Sequence, residues 1–332
     1  MADFVMHRKR TTPTEDVMST PFSHVTPLAD VRDKVAFITG GSSGIGLGMA
    51  RAFSEAGMKV VFTYMREEHC RKALESFPRE NRGVHAIKLD TTDREGMVRA
   101  ADEARQVFGN VHLLANNAGI GIVKQISNAT WQDWDWAMRV NIDGVFNGIH
   151  TFLPRMLAHG EGAHILATSS SGGLVAGMLG VYVTTKYAIV GMMESLRVEL
   201  AGRNVGVSVF CPGLVRSNIM DSERNRPAEY FNSGTPEARA LPPGVKDVPG
   251  LDLMAVALDP LEVGRAVLSG VRKNDLYILT HGEFAGPVRQ RSEAILASFG
   301  SESIPQARLD AVATYVPEIY AAEVARLKMK LV

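Results

Sequence analysis

Tyr182 and Lys186 are the pair of side chains whose types and spacing best fit a chemical role in this sequence. They stand four residues apart in a stretch, 182–201, that predicts a helix, so both lie on one face of it. A free phenol has a pKa of about 10, but a nearby ammonium favours the phenolate and lowers that pKa. The pair could therefore act in general acid/base catalysis. A buried tyrosine beside a solvated lysine is the alternative.

A glycine-rich turn near the start of the chain has the spacing of a dinucleotide site. Residues 34–39 are an apolar, β-branched run that predicts a strand, and a helical pattern follows at 45–56. Between them, Gly40, Gly44 and Gly46 allow a tight turn, close approach of the backbone to a pyrophosphate, and contact between helix and strand. The phosphates would sit at the helix N-terminus, which favours anions. A plain Gly/Ser-rich turn is the alternative.

Further motifs follow in chain order: Asn116-Asn117-Ala118-Gly119, Asn141, the serine run 169–171, and Pro212-Gly213. With the glycine turn and the Tyr182-x-x-x-Lys186 pair, this order resembles the short-chain dehydrogenase/reductase family over about residues 34–280. The resemblance implies an NAD(P)-dependent oxidoreductase in which Tyr182 exchanges the hydroxyl proton while hydride passes to or from nicotinamide C4. Lys186 would also hold the nicotinamide ribose.

The resemblance implies a catalytic group made of Asn141, Ser170, Tyr182 and Lys186. Asn141 would position a water in a proton relay to the lysine, and an asparagine that caps a helix irregularity is the alternative. A serine would hydrogen-bond the substrate oxygen. The family's usual separation of thirteen residues from the tyrosine would select Ser169, whereas the S-x-x-G turn of the family matches at Ser170. We assign the role to Ser170.

The same resemblance assigns a set of coenzyme-binding residues. Asp90 would accept a hydrogen bond from the adenine amino group, with a plain loop aspartate as the alternative, and Asn117 is assigned to the sheet. The predicted set is Gly40, Ser42, Ser43, Gly44, Ile45, Gly46, Tyr64, Arg66, Asp90, Thr91, Asn116, Ala118, Gly119, Tyr182, Lys186, Pro212, Gly213, Val215 and Ser217.

The end of the second predicted strand bears on the choice of coenzyme. NAD-preferring relatives place an aspartate there to bind the ribose hydroxyls. Tyr64 occupies that position here, so no carboxylate repels a 2′-phosphate, and Arg66 could pair with it. The sequence therefore favours NADP(H), with NAD(H) still open. Glu67 and Glu68 follow, and Arg66 could equally be a solvated residue at a helix start.

Short apolar runs alternate with helical patterns from residue 34 onward. Strands are predicted at 34–39, 59–64, 84–89, 111–115, 163–169, 205–210 and 276–280, and helices at 45–56, 67–77, 93–108, 131–159, 182–201 and 260–273. This alternation predicts an α/β fold with a doubly wound, Rossmann-like, seven-stranded parallel sheet and helices on both faces. The tryptophans at 131, 134 and 136 are expected to pack rather than to bind a ligand.

The chain divides into three predicted parts. Residues 1–33 are an irregular N-terminal arm with several prolines, and residues 34–282 are the catalytic domain. Within that domain, the Pro-rich and polar stretch at about 216–250 is predicted to be a lid loop. Residues 283–332 are a helical C-terminal extension, with helices at 283–299 and 307–329.

The composition argues against several partners. With 36 basic and 36 acidic residues, the chain has no net charge to attract nucleic acid or an anionic membrane, and no apolar run is long enough to span a bilayer. Cys70 and Cys211 imply no disulfide framework, which favours a cytoplasmic location, and no histidine has the spacing of a metal site. The resemblance implies a homodimer or homotetramer through the helices at 131–159 and 182–201.

Within the family, peripheral segments resemble the Cα-dehydrogenases of lignin-type aryl ether breakdown. These segments are 140–148, 151–156, 217–219, 226–230 and 274–278. Leu174, Val175, Met178 and Leu179 would give the pocket an apolar wall, so we expect a hydrophobic alcohol or ketone, aromatic or otherwise, as substrate. The alternatives are a 3-oxoacyl or keto-steroid reductase and, outside catalysis, a cofactor-sensing regulator of the same fold.

Overall fold

A seven-stranded, wholly parallel sheet forms the centre of the molecule in a computed structural model that describes residues 26–78, 80, 83–231 and 253–329. The strands are Val35–Ile38 (β1), Lys59–Tyr64 (β2), Val84–Lys88 (β3), Val111–Asn116 (β4), Ala163–Thr168 (β5), Val205–Phe210 (β6) and Tyr277–Ile278 (β7). Their spatial order is β3-β2-β1-β4-β5-β6-β7. The predicted sheet is confirmed, with strand ends within two residues of the predicted ones.

Helices cover both faces of the sheet, as predicted. In the described part of the chain the helices are Gly44–Glu55 (α1), Glu67–Glu75 (α2), Arg94–Phe108 (α3), Trp131–Met138 (α4), Gly144–His159 (α5), Gly180–Glu199 (α6), Leu253–Val256 (α7), Pro260–Arg272 (α8), Ala285–Ala297 (α9), Gln306–Tyr315 (α10) and Ile319–Met329 (α11). On one face, α3, α5 and α6 bury residues such as Met97, Phe152 and Met193. On the other, α1, α2 and α8 bury residues such as Phe53 and Val267. Strands buried on both sides explain the continuous apolar runs.

The single helix predicted at 131–159 is interrupted in the structure. Thr130 and Asp133 form the capping box that starts α4, because each side chain accepts from the other's backbone N–H at 3.1 Å. A π-helical turn, Arg139–Asp143, then separates α4 from α5. Such turns widen the helix by one residue and often occur at functional sites. Asn141 is the buried residue of this turn.

The segments outside the sheet are described only in part. Residues 1–25 of the predicted arm and 232–250 of the predicted lid lie outside the described residues, as do 251 and 252. Residues 26–33 have no helix or strand, but Leu28 and Val31 are buried in the core. The described part of the lid, 216–231, contains the 3₁₀ helices Ile219–Asn225 and Ala228–Tyr230.

The C-terminal extension is helical, as predicted, but its second predicted helix is two helices. Pro317 stands between α10 and α11, where its missing N–H and its ring end a helix. α11 returns to the sheet, with Ile319 and Glu323 buried. The carboxylate of Glu323 accepts from the backbone N–H of Leu276 at 3.1 Å, beside β7. In the described part of the chain, no helix is both long and apolar enough to cross a membrane.

Candidate active site

A cavity of about 520 Å³ lies at the carboxyl ends of the strands. Its wall includes residues at the ends of β1, β2, β4, β5 and β6, together with residues of the lid. The strand order reverses between β1 and β4, and a reversal of this kind leaves a crevice at the carboxyl edge of a parallel sheet, where ligands bind. The predicted catalytic and coenzyme-binding residues lie around this crevice, with three exceptions described below.

The glycine turn after β1 has the backbone that its sequence predicts. Gly40 and Gly44 have φ of +64° and +52°, in the left-handed region that glycine adopts without strain. Gly46 is the first exception, since it does not line the cavity. A Cβ there would lie 2.3 Å from the Gly40 carbonyl oxygen, so Gly46 lets α1 pack against the turn instead of touching a ligand. The turn leaves the N-terminus of α1 facing the cavity.

Ser170 and Tyr182 form the polar centre of the cavity wall. Both lie beside Gly172, since a Cβ there would be 3.6 Å from the Ser170 Oγ and 4.0 Å from the Tyr182 Cε1, and the Ser170 hydroxyl accepts from the Gly172 N–H at 3.1 Å. Ser169 differs, because it is buried and its hydroxyl donates to the carbonyl oxygen of Lys186 at 2.8 Å. The structure thus brings Ser170 to the tyrosine, as the S-x-x-G match predicted, and uses Ser169 to tie β5 to α6.

Lys186 is 4% exposed and reaches the same centre from the next turn of α6. Its Nζ donates to the Thr168 carbonyl at 3.0 Å and lies 5.4 Å from the centroid of the Tyr182 ring. Burial lowers the pKa of Lys186 to about 8. Burial also raises the pKa of Tyr182, with the nearby Ser170 hydroxyl acting in the opposite direction. The sequence predicted a lowered tyrosine pKa, but burial disfavours the charged form of both groups and outweighs the attraction.

Asn141 is the second exception, because it lies beneath the cavity wall. Its amide accepts from the Ile120 N–H at 2.8 Å and donates to the Ile120 carbonyl at 3.0 Å and to the Thr185 hydroxyl at 3.1 Å. It still lies close to the site, since a Cβ on Gly119 would be 3.1 Å from its Oδ1 and 3.7 Å from the Lys186 Nζ. These bonds support the structural alternative, and a proton relay stays a prediction.

Asn116 is the third exception, and it exchanges roles with Asn117. Asn116 is 2% exposed at the end of β4 and faces α5, where a Cβ on Gly148 would meet its Oδ1 at 2.1 Å. Side chains alternate along a strand, so the next residue faces the other way. Asn117 accordingly lines the cavity, while its amide donates to the Thr39 carbonyl at 3.2 Å. The prediction that Asn116 lines the coenzyme site and Asn117 does not is wrong.

The end of the cavity beside β2 is cationic. Tyr64 and Arg66 line it, together with three residues that the sequence did not indicate, His69, Arg224 and Asn225. Arg66 donates through Nε to the Asn225 side chain at 3.1 Å and through Nη2 to the Arg224 carbonyl. Burial, followed by the charges of Arg224 and Arg66, lowers the pKa of His69. This end of the cavity is therefore bordered by contacts between Arg66, at the start of α2, and the lid.

The carboxylates next to Arg66 are held in ion pairs with lysines. Glu67 lies 3.3 Å from the Lys88 ammonium, and Glu68 lies 2.7 Å from that of Lys72. Since these side chains are exposed, the pairs are screened by solvent and contribute little stability. The lysines nevertheless offset the negative charges of Glu67 and Glu68, which would otherwise repel an anion bound at Arg66.

A buried ion pair fixes the other end of the lid. Arg226 donates to the Asp133 carboxylate at 2.8 Å and to the Glu223 carboxylate at 2.7 Å, and its guanidinium lies 4.4 Å from the Trp136 ring centroid. The side chains of Arg226 and Asp133 are 5% and 0% exposed. The pair attaches the lid to α4, where Trp136 forms part of the cavity wall. No local sequence pattern predicts this pair, since the partners are 93 residues apart.

The apolar wall differs from the predicted one. Of the four residues predicted after the serine run, only Leu179 lines the cavity. Leu174 packs against the core, and Met178 is 38% exposed. The apolar and aromatic residues that line the cavity come mainly from elements distant in sequence: Ile120, Trp136, Val140, Leu214, Ile219, Met220, Pro227, Tyr230 and Phe284. Trp136 both packs in the core and lines the cavity.

Comparison with known sequences agrees with this geometry. The profile of the family described as short chain dehydrogenase matches residues 34–228, more than half of the chain. The chain belongs to the short-chain dehydrogenase family. It is accordingly an NAD(P)-dependent oxidoreductase.

Three relatives show the extent of the similarity. The C alpha-dehydrogenase of Sphingobium sp. is 38% identical over 84% of this short-chain dehydrogenase and 91% of the relative. The NADP-dependent (R)-specific alcohol dehydrogenase of Lentilactobacillus kefiri is 34% identical over 58% and 77% of the two chains. A short-chain dehydrogenase from Burkholderia phymatum, solved in complex with NAD, is 31% identical, with a TM-score of 0.73 over 83% of this chain and 98% of that one.

Proposed function

We propose that this enzyme interconverts a secondary alcohol and a ketone on a hydrophobic, aromatic small molecule, with Tyr182 as general acid/base and NADP(H) as the preferred coenzyme. The observation that carries the proposal is that Ser170 and Tyr182 lie side by side in the wall of a cavity that Trp136, Tyr230 and Phe284 also line. The same cavity has the glycine turn that a dinucleotide requires.

The residues in the cavity wall divide the chemistry among them. The bound coenzyme supplies or accepts the hydride. Ser170 orients the substrate oxygen by a hydrogen bond, and Tyr182 gives its phenolic proton to that oxygen in the reduction or takes it in the oxidation. Lys186 holds positive charge near the ring and stabilises the phenolate that the proton transfer leaves. With a pKa of about 8, Lys186 is mostly charged at neutral pH.

The proposed substrate class rests on the cavity wall and on one relative. Trp136, Tyr230 and Phe284 line the cavity and would enclose an aromatic ring beside Tyr182. The relative named C alpha-dehydrogenase covers most of this chain, which supports an aryl carbinol and its ketone as the reacting pair. The 3-oxoacyl and keto-steroid reductase alternatives need an acyl chain or a rigid four-ring system in the same cavity.

A substrate panel tests the reaction. Aryl carbinols with their ketones, 3-oxoacyl thioesters and keto-steroids would be assayed by the absorbance of NAD(P)H, with Tyr182→Phe as the matched control. We expect turnover with the aryl compounds, absent in the control. Turnover of only 3-oxoacyl thioesters or keto-steroids would overturn the substrate class. Coenzyme binding without turnover of any compound would favour the cofactor-sensing regulator.

The preference for NADP(H) rests on Tyr64 and Arg66. No carboxylate occupies the end of β2, and the neighbouring Glu67 and Glu68 are paired with lysines. A charge-assisted bond from Arg66 to the 2′-phosphate would favour NADPH over NADH by roughly ten- to a hundredfold. Dissociation constants for both coenzymes, measured on the parent and on Arg66→Ala, test this. Equal binding of both by the parent would overturn the preference.

We also propose a cytoplasmic homodimer or homotetramer formed through α4, α5 and α6. Trp131, Phe146 and Leu157, on the outer faces of α4 and α5, are 81%, 52% and 38% exposed, and burial of such side chains is a common basis of association. Both cysteines are unpaired and buried, which suits a reducing compartment. Light scattering on the purified chain and on Phe146→Asp tests the assembly, and an unchanged mass for the variant would exclude this interface.

A further inference from the structure

The lid meets the coenzyme-binding wall at a point far in sequence from the catalytic residues. Its 3₁₀ helix Ile219–Asn225 lies against Arg66, which donates to the Asn225 side chain and to the Arg224 carbonyl. Arg224 lines the same cavity as Arg66 and Tyr64. The position where a 2′-phosphate is proposed to bind is thus bordered by β2 on one side and by the lid on the other.

Two arginines meet at this point. Arg66 and Arg224 line the same cavity together with His69, and the Arg66 guanidinium donates to the backbone carbonyl of Arg224. Arg224 is held by its own helix: its Nη1 donates to the Asn218 carbonyl at 2.9 Å, and the Asp221 carboxylate lies 3.5 Å away. The Arg224 side chain is nevertheless 21% exposed, so it is not sealed from the cavity that it lines.

We propose that Arg224 supplies a second guanidinium to the 2′-phosphate site, so that a residue of the lid helps to select the coenzyme. The proposal rests on the proposed preference for NADP(H). A guanidinium has five N–H donors, and the lid contacts of Arg66 use two of them, which leaves three for a phosphate. A phosphate dianion between Arg66 and Arg224 would replace the repulsion of two like charges by two charge-assisted contacts.

The position of Arg224 links the coenzyme to the substrate end of the cavity. Ile219 and Met220, in the same 3₁₀ helix, line the cavity, and Arg226, just beyond it, is bound to Asp133 on α4. A phosphate held by Arg224 would therefore fix a helix whose other residues form the substrate wall. NAD(H), which has no 2′-phosphate, would leave this contact unmade.

The test uses coenzyme fragments that do not reach the catalytic residues. Calorimetry would compare 2′,5′-ADP, which carries the 2′-phosphate, with 5′-ADP, which lacks it. The variants are Arg224→Ala, Arg224→Lys and Arg66→Ala. Arg216→Ala is the matched control, since it removes the same charge from the same loop, and Arg216 pairs with Asp259 at 2.6 Å outside the cavity lining.

We expect Arg224→Ala to weaken binding of 2′,5′-ADP by roughly tenfold and that of 5′-ADP by less than about twofold, with an intermediate loss for Arg224→Lys. Arg216→Ala should bind both fragments as the parent does. Equal losses for the two fragments would show that Arg224 only supports the lid, and no loss for either would remove it from the site. Both results would overturn the proposal.

The same data separate this proposal from the one on which it rests. If the parent binds both fragments equally, the preference for NADP(H) fails, and the role of Arg224 fails with it. If the parent prefers 2′,5′-ADP and loses the preference in Arg66→Ala but keeps it in Arg224→Ala, only the role of Arg224 fails.

Discussion

The hydroxyl of Ser169 donates to the backbone carbonyl of Lys186 at 2.8 Å and so joins the end of β5 to the helix that carries Tyr182. The next residue, Ser170, lines the cavity beside the tyrosine instead. Neighbouring serines of the same run therefore have different tasks. One holds α6 in place, and the other is available to a substrate oxygen.

The two serines should differ on substitution. Ser170→Ala removes a hydrogen bond made in the transition state and should lower kcat by roughly 10²–10³-fold with little change in stability. Ser169→Ala should leave kcat within about tenfold but lower the free energy of unfolding by about 1–2 kcal/mol, because it removes a buried hydrogen bond. Steady-state kinetics and urea unfolding on both variants measure this, and the reverse ranking of kcat would contradict the assignment.

Tyr182→Phe should abolish turnover and leave coenzyme binding nearly intact. The variant keeps the ring, which Lys186 faces at 5.4 Å, and removes only the transferable proton. Single-turnover hydride transfer and the dissociation constant of the coenzyme separate the two effects. Activity equal to that of the parent would exclude Tyr182 as the acid/base.

Lys186→Met should inactivate the enzyme and stabilise it near neutral pH. The folded-state pKa of about 8 lies below the ordinary value of 10.5, so the folded chain gives up this proton first. Between these two pH values the unfolded chain binds more protons than the folded chain, so the stability of the parent rises with pH. Below about pH 8 the folded chain carries the full free-energy cost of burying the charged ammonium. Methionine removes that penalty, and the variant should be more stable by roughly 2 kcal/mol at neutral pH after loss of the hydrogen bond to Thr168.

Urea unfolding of the parent and the variant is measured at neutral pH and again near the ordinary lysine pKa. The difference in unfolding free energy between the two proteins then reports on Lys186 alone, since the other groups titrate alike in both. We expect the gap in unfolding free energy to narrow as the pH rises through this window. A difference in unfolding free energy that is constant with pH would show that burial does not lower the pKa of Lys186.

Arg226→Ala should both destabilise the fold and impair substrate binding. It leaves the fully buried Asp133 without this partner, which typically costs about 3–5 kcal/mol. It also frees the lid from Trp136, so KM for the substrate should rise more than kcat falls. Arg265→Ala is the control, because it breaks an exposed pair with Glu55 and should cost less than about 1 kcal/mol. Equal stability of the two variants would contradict the role of the buried pair.

Features set by local geometry were predictable from the sequence. Gly40 and Gly44 have the backbone that their spacing requires, and Tyr182 and Lys186 share a helix face because they are four residues apart. The strands were predictable because burial on both faces requires continuous apolar runs. Pro317 also marked the helix break that was missed, since its ring cannot continue a helix.

Features that depend on distant contacts were not predictable in the same way. Arg226 contacts Asp133 and Trp136 only when the lid packs across the edge of the sheet. No local sequence pattern predicts that contact. The closeness of Arg224 to Arg66 has the same origin. Asn116 and Asn117 are a different case. They are neighbours at the end of β4, so their side chains point to opposite faces of the sheet, and a one-residue error in the alternation exchanges the residue that lines the cavity with the one that faces α5.

The short edge strand β7 and the helix that returns to it affect how these molecules behave at high concentration. A strand at the edge of a sheet offers unpaired backbone groups to any other strand it meets. Here β7 is only two residues long, and the preceding Leu276 N–H is bound by Glu323 of α11. Removal of residues 316–332 should uncover this edge, and light scattering of the truncated chain should then increase with concentration and time. The C-terminal helix α11 is thus expected to prevent a strand of another copy from pairing with the edge of the sheet at β7.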